Sequence, residues 1–164
     1  MPGDLVVSLR NLSAFAIVDP ASGAIKRVVR GGFLQQHAVH HLGGSRFLMF
    51  DNLGGDADGG PSRLLEVDLT TGAERRVFPV PGLPEPFRGA FSRVAGHVDI
   101  SPDRQRALVA YSEYGRIFEV DLASGRPLLT YDNLHDLSRV AAAPASLRET
   151  AARAQVFSAQ YLGD

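Results

Sequence analysis

Short apolar runs separated by turn residues recur along the chain and predict strands rather than helices. Three segments align without gaps, and each reads as a strand, a Val-Asp pair, a turn with glycine and a second strand. They are AFAIVDPASGAIKRVV from Ala14, RLLEVDLTTGAERRVF from Arg63 and RIFEVDLASGRPLLTY from Arg116. Their turn glycines lie 49 and 53 residues apart. Because glycine adopts positive φ without steric cost, each segment predicts a β-hairpin.

A further apolar strand precedes each hairpin, at Leu5–Leu9, Phe47–Phe50 and Ala107–Tyr111. Before the second and third of these runs stands another short strand that opens with a histidine, His37 or His97. A repeat of about 50 residues built from four strands has the period of a β-propeller blade. We therefore predict an all-β fold, a partial β-propeller of about three four-stranded antiparallel blades. The first unit lacks the histidine strand in this sequence.

The three units span approximately residues 4–30, 36–80 and 97–132 of a single domain, a half-propeller. A tail at 133–164 follows, in which the sequence predicts a short helix and then a last strand at 155–161. Three blades do not close a ring, since propellers typically have four to eight. Two alternatives would complete it. One is a homodimer, and the other is a longer protein whose N-terminal half precedes this chain.

Composition excludes several classes of function. The chain has 164 residues, of which 45% are apolar and 21% charged, as in an ordinary globular domain. Its net charge of −1 offers no attraction to nucleic acid or an anionic membrane surface, so we predict neither as a partner. No apolar run is long enough to span a bilayer, and the N-terminus lacks the pattern of a signal peptide. The absence of cysteine excludes disulfides and thiolate chemistry.

The strand-opening histidines are the first candidates for chemistry. His37 and His97 each stand nine positions before the arginine that opens the next strand, so they occupy the same place in the repeat. A neutral imidazole is a nucleophile and a general base near pH 7. Each histidine could instead have a structural role at the end of a strand, and for His97 this role is favoured. His40 and His41 do not form a zinc-binding spacing with His37, so we predict no metal site and no cofactor.

Three segments resemble the arylsulfate sulfotransferases, a family of periplasmic six-bladed propellers that move sulfuryl groups between phenols without a nucleotide donor. They are VVSLRNLSAFAIVD from Val6, QHAVHHLGGSRFLMFDN from Gln36 and GRIFEVDLASGRPLLTY from Gly115. The likeness covers most of residues 4–133 and corresponds to the second half of the family's propeller. The relatives are exported, whereas this sequence leaves localisation open.

The resemblance implies a transferase that takes an aryl sulfate donor and a phenol acceptor. It places the nucleophile at His37, which would form a sulfohistidine, and sulfuryl binding at Arg10. We add two candidate substrate-binding residues, Asn11 beside Arg10 and His97 at the repeat position of His37. The family's second histidine and its asparagine lie on a strand that would precede Met1. A site built from one such chain is therefore expected to be incomplete.

Other interpretations remain open. A non-catalytic propeller module, or a truncated relative, that binds a protein partner is the main alternative, and the missing strand favours it. A quinoprotein-like or WD40-type propeller is weaker because the chain contains no tryptophan, on which the quinoprotein blade signature depends. His135 and Asp136 stand where a fourth unit would begin, and they are candidates either for the central channel or for a loop.

Several acidic and amide residues are predicted to be structural. The repeated aspartates before the turns occur in every unit, as expected of turn formation and not of catalysis; they are Asp19, Asp68 and Asp121. Asp51 and Asn52 follow a strand and are predicted to cap a turn through side-chain-to-backbone hydrogen bonds.

Overall fold

The computed structural model describes residues 3–133 and 155–162, which form three antiparallel sheets and two short 3₁₀ turns, Arg10–Leu12 and Ser112–Tyr114. Sheet 1 contains β1 (Leu5–Leu9), β2 (Ala14–Val18) and β3 (Ile25–Val29). Sheet 2 contains β4 (His37–Gly43), β5 (Arg46–Asp51), β6 (Arg63–Asp68) and β7 (Glu74–Phe78). Sheet 3 contains β8 (His97–Ile100), β9 (Arg106–Tyr111), β10 (Arg116–Asp121) and β11 (Pro127–Asp132).

Each sheet is a meander in which strands pair in chain order, so β1, β4 and β8 stand at sheet edges. These three edge strands lie beside one another, β1 next to β4 and β4 next to β8. The prediction of an all-β, antiparallel fold is confirmed. Sheets 2 and 3 have the expected four strands, and sheet 1 has three, as expected for a unit that lacks the histidine strand. In the described ranges, no helix is long and apolar enough to cross a membrane.

Sheet 2 lies between the other two sheets, and strand β5 shows why. Phe47 and Met49 pack with residues of sheet 1, whereas Leu48 and Phe50 pack with residues of sheet 3. All four side chains are fully buried. Since successive side chains of a strand point to opposite faces, a strand buried on both faces reads as one continuous apolar run. The run FLMF therefore reflects the central position of sheet 2.

The sheets share two distinct ends. One end of the sheets carries Arg10, His37 and His97. The strands that finish at this end are β1, β5 and β9, and those that begin there include β4, β6, β8 and β10. We call this the histidine end. The opposite end, which we call the turn end, carries the hairpin turns that follow β2, β6 and β10. The candidate residues from different units are thereby brought to one side of the molecule.

The repeated aspartates organise the turns at the turn end, which confirms their predicted structural role. Asp68 Oδ1 accepts hydrogen bonds from Thr70 N and Ser45 Oγ, both at 2.8 Å. Asp19 and Asp121 accept equivalent bonds from residues two or three positions ahead. These hydrogen bonds, those from side-chain hydroxyl groups first, lower the pKa of each of the three carboxyl groups.

Acidification is expected to destabilise the fold through these carboxylates. A pKa lower in the folded than in the unfolded chain stabilises the fold above the unfolded value of about 4, and this contribution is lost as pH falls through the folded value. The melting temperature should therefore drop below about pH 4. In Asp68→Asn, which keeps an acceptor oxygen but cannot titrate, thermal melts should show a smaller drop. An equal drop in both proteins would contradict this account.

Residues 155–162 contain no regular secondary structure and lie against sheet 3, so the predicted last strand at 155–161 is wrong. Val156 N donates to Ser112 O at 3.1 Å, and the Tyr161 hydroxyl donates to Glu119 Oε1 at 2.9 Å. The segment therefore contacts sheet 3 through side chains and isolated backbone groups and does not extend the sheet. The helix predicted in the tail, with His135 and Asp136, lies outside the described residues.

Candidate functional site

The loop Ser92–Ala95, just before β8, is a shared acceptor for side chains of sheets 1 and 2. Arg10 and Asn52 each follow directly after equivalent strands, β1 and β5. Arg10 Nη2 donates to the carbonyl oxygen of Arg93 at 3.2 Å. Asn52 Nδ2 donates to the carbonyl oxygens of Ser92 at 2.7 Å and Ala95 at 3.1 Å. The loop thus joins all three sheets at the histidine end.

Asn52 determines which nitrogen of His37 carries the proton. His37 Nδ1 lies 2.7 Å from Asn52 Oδ1, and Asn52 is fully buried. The Asn52 amide cannot turn over, because its nitrogen donates to two backbone carbonyls that can only accept. Its oxygen therefore faces the histidine and accepts the Nδ1 proton. In the neutral ring, Nε2 is then the nitrogen with the free lone pair.

The backbone around His37 is irregular in a way that β8 does not share. His37 pairs with Phe50 and His40 with Leu48, so β4 carries one extra residue, a β-bulge, between the two histidines. Ala38 has φ 49° and Gln35 has φ 54°, both in the left-handed region that non-glycine residues rarely adopt. Bulges redirect side chains and such strain concentrates at functional sites.

A buried ion pair anchors the segment that leads into His37. Asp51 Oδ2 accepts from Arg63 Nε at 2.7 Å, and its Oδ1 accepts from the backbone of Leu34 at 2.9 Å. Arg63 Nη2 also donates to the Gly32 carbonyl at 2.6 Å. Burial raises the pKa of Asp51, while the Leu34 hydrogen bond and the Arg63 charge oppose that rise.

The prediction that Asp51 and Asn52 cap a turn through side-chain-to-backbone hydrogen bonds holds only in part. Asp51 does bond to the backbone of the next turn at Leu53, but the other such bonds of the pair reach distant segments at Leu34, Ser92 and Ala95. Both side chains are fully buried, and both reach across the sheet to the chain around His37. The sequence contained a signal for their contact with the His37 segment, because this Asp-Asn pair directly follows the strand that must pair with the His37 strand.

Arg10 is held by neutral acceptors and carries an unbalanced charge. Its Nη1 donates to Asn11 Oδ1 at 3.0 Å, and its Nη2 donates to Gln35 Oε1 at 2.8 Å as well as to Arg93 O. Within the described residues, no carboxylate pairs with it. Asn11 is exposed and orients this guanidinium group. Gln35 links Arg10 to the chain two residues before His37.

His97 lies at the start of β8, where it pairs with Ala110 as His37 pairs with Phe50. Burial, and secondarily the proximity of His40, lower the pKa of His97, although Asp99 opposes the shift. His40 Nε2 lies 2.8 Å from the Val98 carbonyl oxygen and so joins β4 to β8.

Buried polar atoms without a hydrogen-bond partner are concentrated at the histidine end. In residues 3–133 and 155–162, four buried side-chain atoms lack a hydrogen-bond partner, and all four belong to residues at this end: Arg10 Nε, Gln36 Oε1, Ser112 Oγ and Arg116 Nη1. Buried polar atoms are normally satisfied, so this concentration marks a place for a polar ligand or water. Gln36 is fully buried, and its Nε2 donates to Ala14 O and Ser8 Oγ.

Metal binding finds no support in the part of the chain described here, which holds no group of three or more histidine or acidic side chains able to hold an ion. No protein-family model matches the chain, and no curated protein matches it. The interpretation of the site therefore rests on its geometry together with the resemblance of the short motifs.

Replacing Asn52 with alanine is expected to reverse the His37 tautomer. Without the Asn52 oxygen, the imidazole proton should move from Nδ1 to Nε2, the nitrogen that free imidazole side chains prefer to protonate. Nitrogen chemical shifts of the His37 ring, measured by NMR, would report the change. Asn11→Ala, which removes an exposed amide at the same end, serves as the control and should leave the tautomer unchanged. A wild-type ring protonated at Nε2 would contradict the assignment.

Proposed function

We propose that this chain transfers a sulfuryl group from an aryl sulfate to a phenolic acceptor through a sulfohistidine at His37. The observation that carries the proposal is the 2.7 Å hydrogen bond between His37 Nδ1 and Asn52 Oδ1, because it leaves Nε2 with a free lone pair. A nucleophile that is oriented in its reactive tautomer before substrate binds needs no rearrangement to attack.

The proposed reaction has two displacements at sulfur. In the first, the Nε2 lone pair of His37 forms a bond to sulfur, the bond between sulfur and the aryl oxygen breaks, and phenolate leaves. In the second, the acceptor oxygen attacks sulfur, the S–Nε2 bond breaks, and the acceptor proton passes to water. Splitting the transfer in this way predicts ping-pong kinetics and requires no nucleotide.

Arg10 is proposed to bind the sulfuryl oxygens. Three of its five guanidinium N–H groups donate to protein acceptors, which leaves Nε–H and one further N–H for a ligand. Its charge is not balanced by a carboxylate in the described ranges, so an anionic group would be attracted. Donors fixed in advance stabilise the charge that develops on the oxygens in the transition state.

The three sheets are proposed to be successive blades of a propeller. Two observations support this arrangement. The first strands of neighbouring sheets lie beside each other, and the sheets pack face to face in chain order. A second copy of the chain, in a homodimer, or a preceding N-terminal half would complete the ring and the missing part of the site.

A non-catalytic module that binds a protein partner is the second candidate, and strand β1 favours it. In the described residues β1 pairs only with β2, and its Leu5 and Val7 side chains are 52% and 39% exposed. An exposed edge with apolar side chains is a surface to which another strand can add.

The deciding experiment measures release of 4-nitrophenol from 4-nitrophenyl sulfate, with and without phenol, alongside light scattering. We expect release that phenol accelerates, parallel double-reciprocal plots and the mass of a dimer. No release from a folded monomer would contradict the proposal and favour the binding module.

A further inference from the structure

A groove of about 280 Å³ opens between sheets 2 and 3 at the turn end, on the side of the molecule opposite His37. Four of the side chains that line it are charged: Arg46, Arg75, Arg104 and Glu66. Arg46 and Arg75 belong to sheet 2, whereas Arg104 lies in the turn between β8 and β9. Three guanidinium groups and one carboxylate therefore surround one small volume.

Glu66 balances only part of this charge. Its Oε2 accepts from Arg75 Nη2 at 2.5 Å, and its Oε1 lies 3.5 Å from Arg46 Nη1. Arg104 pairs with no carboxylate in the described residues and donates through Nη1 to the Leu42 carbonyl at 3.1 Å. The groove therefore keeps an excess of two positive charges. Guanidinium groups with free N–H donors match the oxygens of an anion in charge and geometry.

The backbone at Arg104 is a second sign that its side chain has a role. Its φ of 58° lies in the left-handed region, where glycine or asparagine would avoid the steric cost of an arginine. The long side chain at this position crosses to Leu42 in β4 and places the guanidinium group at the groove.

The equivalent groove between sheets 1 and 2 provides an internal comparison. There Ile17 stands at the repeat position of Glu66, and Lys26 at that of Arg75. Lys26 forms an ion pair with Asp4 at 2.7 Å, and Arg27 donates to the Leu69 carbonyl at 3.1 Å. This groove has a smaller excess of positive charge and contains no counterpart of Arg104. Its Arg27 therefore provides a matched control for substitutions of Arg104.

The third equivalent position, on the outer face of sheet 3, is already occupied. Arg106 and Glu119 repeat Arg46 and Glu66, and the hydroxyl of Tyr161 donates to Glu119 Oε1 at 2.9 Å. The Arg106 guanidinium carbon lies 5.7 Å from the centroid of the Tyr161 ring. The groove between sheets 2 and 3, in contrast, combines three arginines with open space.

We propose that this groove binds a small tetrahedral oxyanion of the sulfate or phosphate class, held by Arg46, Arg75 and Arg104. Arg75 is already oriented by Glu66 and by the Leu122 carbonyl, while Arg46 and Arg104 supply the free donors. The site is separate from the chemistry proposed at His37 and does not depend on it.

The test is calorimetric titration of the full chain with inorganic sulfate and, in parallel, inorganic phosphate, at constant ionic strength set by sodium chloride. Wild type is compared with Arg104→Gln, with Arg27→Gln as the matched control and with Arg10→Gln as the control for the histidine end. We expect Arg104→Gln to weaken binding at the groove by about tenfold or more, because a charge-assisted hydrogen bond is lost. The two control variants should retain it.

Three results would overturn the proposal. They are no binding of either ion to wild type, equal weakening by Arg27→Gln, and loss of binding only in Arg10→Gln. Equal melting temperatures of wild type and Arg104→Gln in sodium chloride alone would show that any lost binding reflects the groove and not misfolding. If that variant does not fold, Arg46→Gln provides the same comparison, with the same tenfold loss expected.

Discussion

Replacing His37 with alanine is expected to abolish phenol-dependent release of 4-nitrophenol from 4-nitrophenyl sulfate while leaving the protein folded. The substitution removes the nucleophile of the proposed reaction, so no covalent intermediate can form. The free energy of unfolding should fall by less than about 2 kcal/mol, because His37 is only half-buried and water can replace its hydrogen bond to Asn52. Steady-state assays and urea denaturation measure the two quantities.

His41→Ala is the matched control for this experiment. His41 lies on the same strand but is exposed, and its ring contacts the Gly44 carbonyl and the Phe47 ring. Its removal should leave turnover unchanged. If His37→Ala retained activity, or if it lost stability in proportion to activity, His37 would be a structural residue and not the nucleophile.

Replacing Arg63 with methionine is expected to destabilise the protein by about 3–5 kcal/mol. The change leaves the fully buried Asp51 carboxylate without its counterion, and it also removes the hydrogen bond that holds Gly32. Urea denaturation at pH 7 measures the loss. Arg88→Met, which breaks an exposed ion pair with Glu85, should cost less than about 1 kcal/mol.

The destabilisation in Arg63→Met should shrink as pH falls. Loss of the Arg63 charge raises the pKa of Asp51 further above its ordinary value. An acid whose pKa is higher in the folded than in the unfolded chain binds more protons when folded. Its contribution to stability is therefore greatest at low pH and is lost as the pH rises from the unfolded pKa through the folded pKa. Adding Asp51→Asn to Arg63→Met should restore part of the stability at pH 7. A loss that is independent of pH would contradict this explanation.

The strands and their pairing could be predicted from the sequence because they depend on local patterns. Each hairpin combines an apolar run, an aspartate and a glycine turn, and the run FLMF indicates a strand with no solvent-facing side. The tail shows the limit of this reasoning. Residues 155–161 are predicted from the sequence to form a strand, yet they lie against sheet 3 through isolated contacts such as the Tyr161 hydroxyl.

The candidate site could be predicted only in part. Its two principal residues, His37 and Arg10, follow from the resemblance of short motifs, and antiparallel pairing brings them to one end. The residues that orient them depend on contacts between distant parts of the chain. Asn52 is held by backbone carbonyls of a loop 40 residues further along the chain. The bulge at Ala38 contains no glycine, so the sequence carries no signal for it. Such partners become visible only when the sheets are assembled.

The most direct test of the proposed function is to look for the covalent intermediate. The wild-type chain would be incubated with 4-nitrophenyl sulfate in the absence of phenol, digested at neutral pH and analysed by mass spectrometry. We expect the peptide that contains His37 to gain one SO₃ group, and to lose it when phenol is added. Release of 4-nitrophenol with no such adduct, or with the group on another residue, would contradict the account.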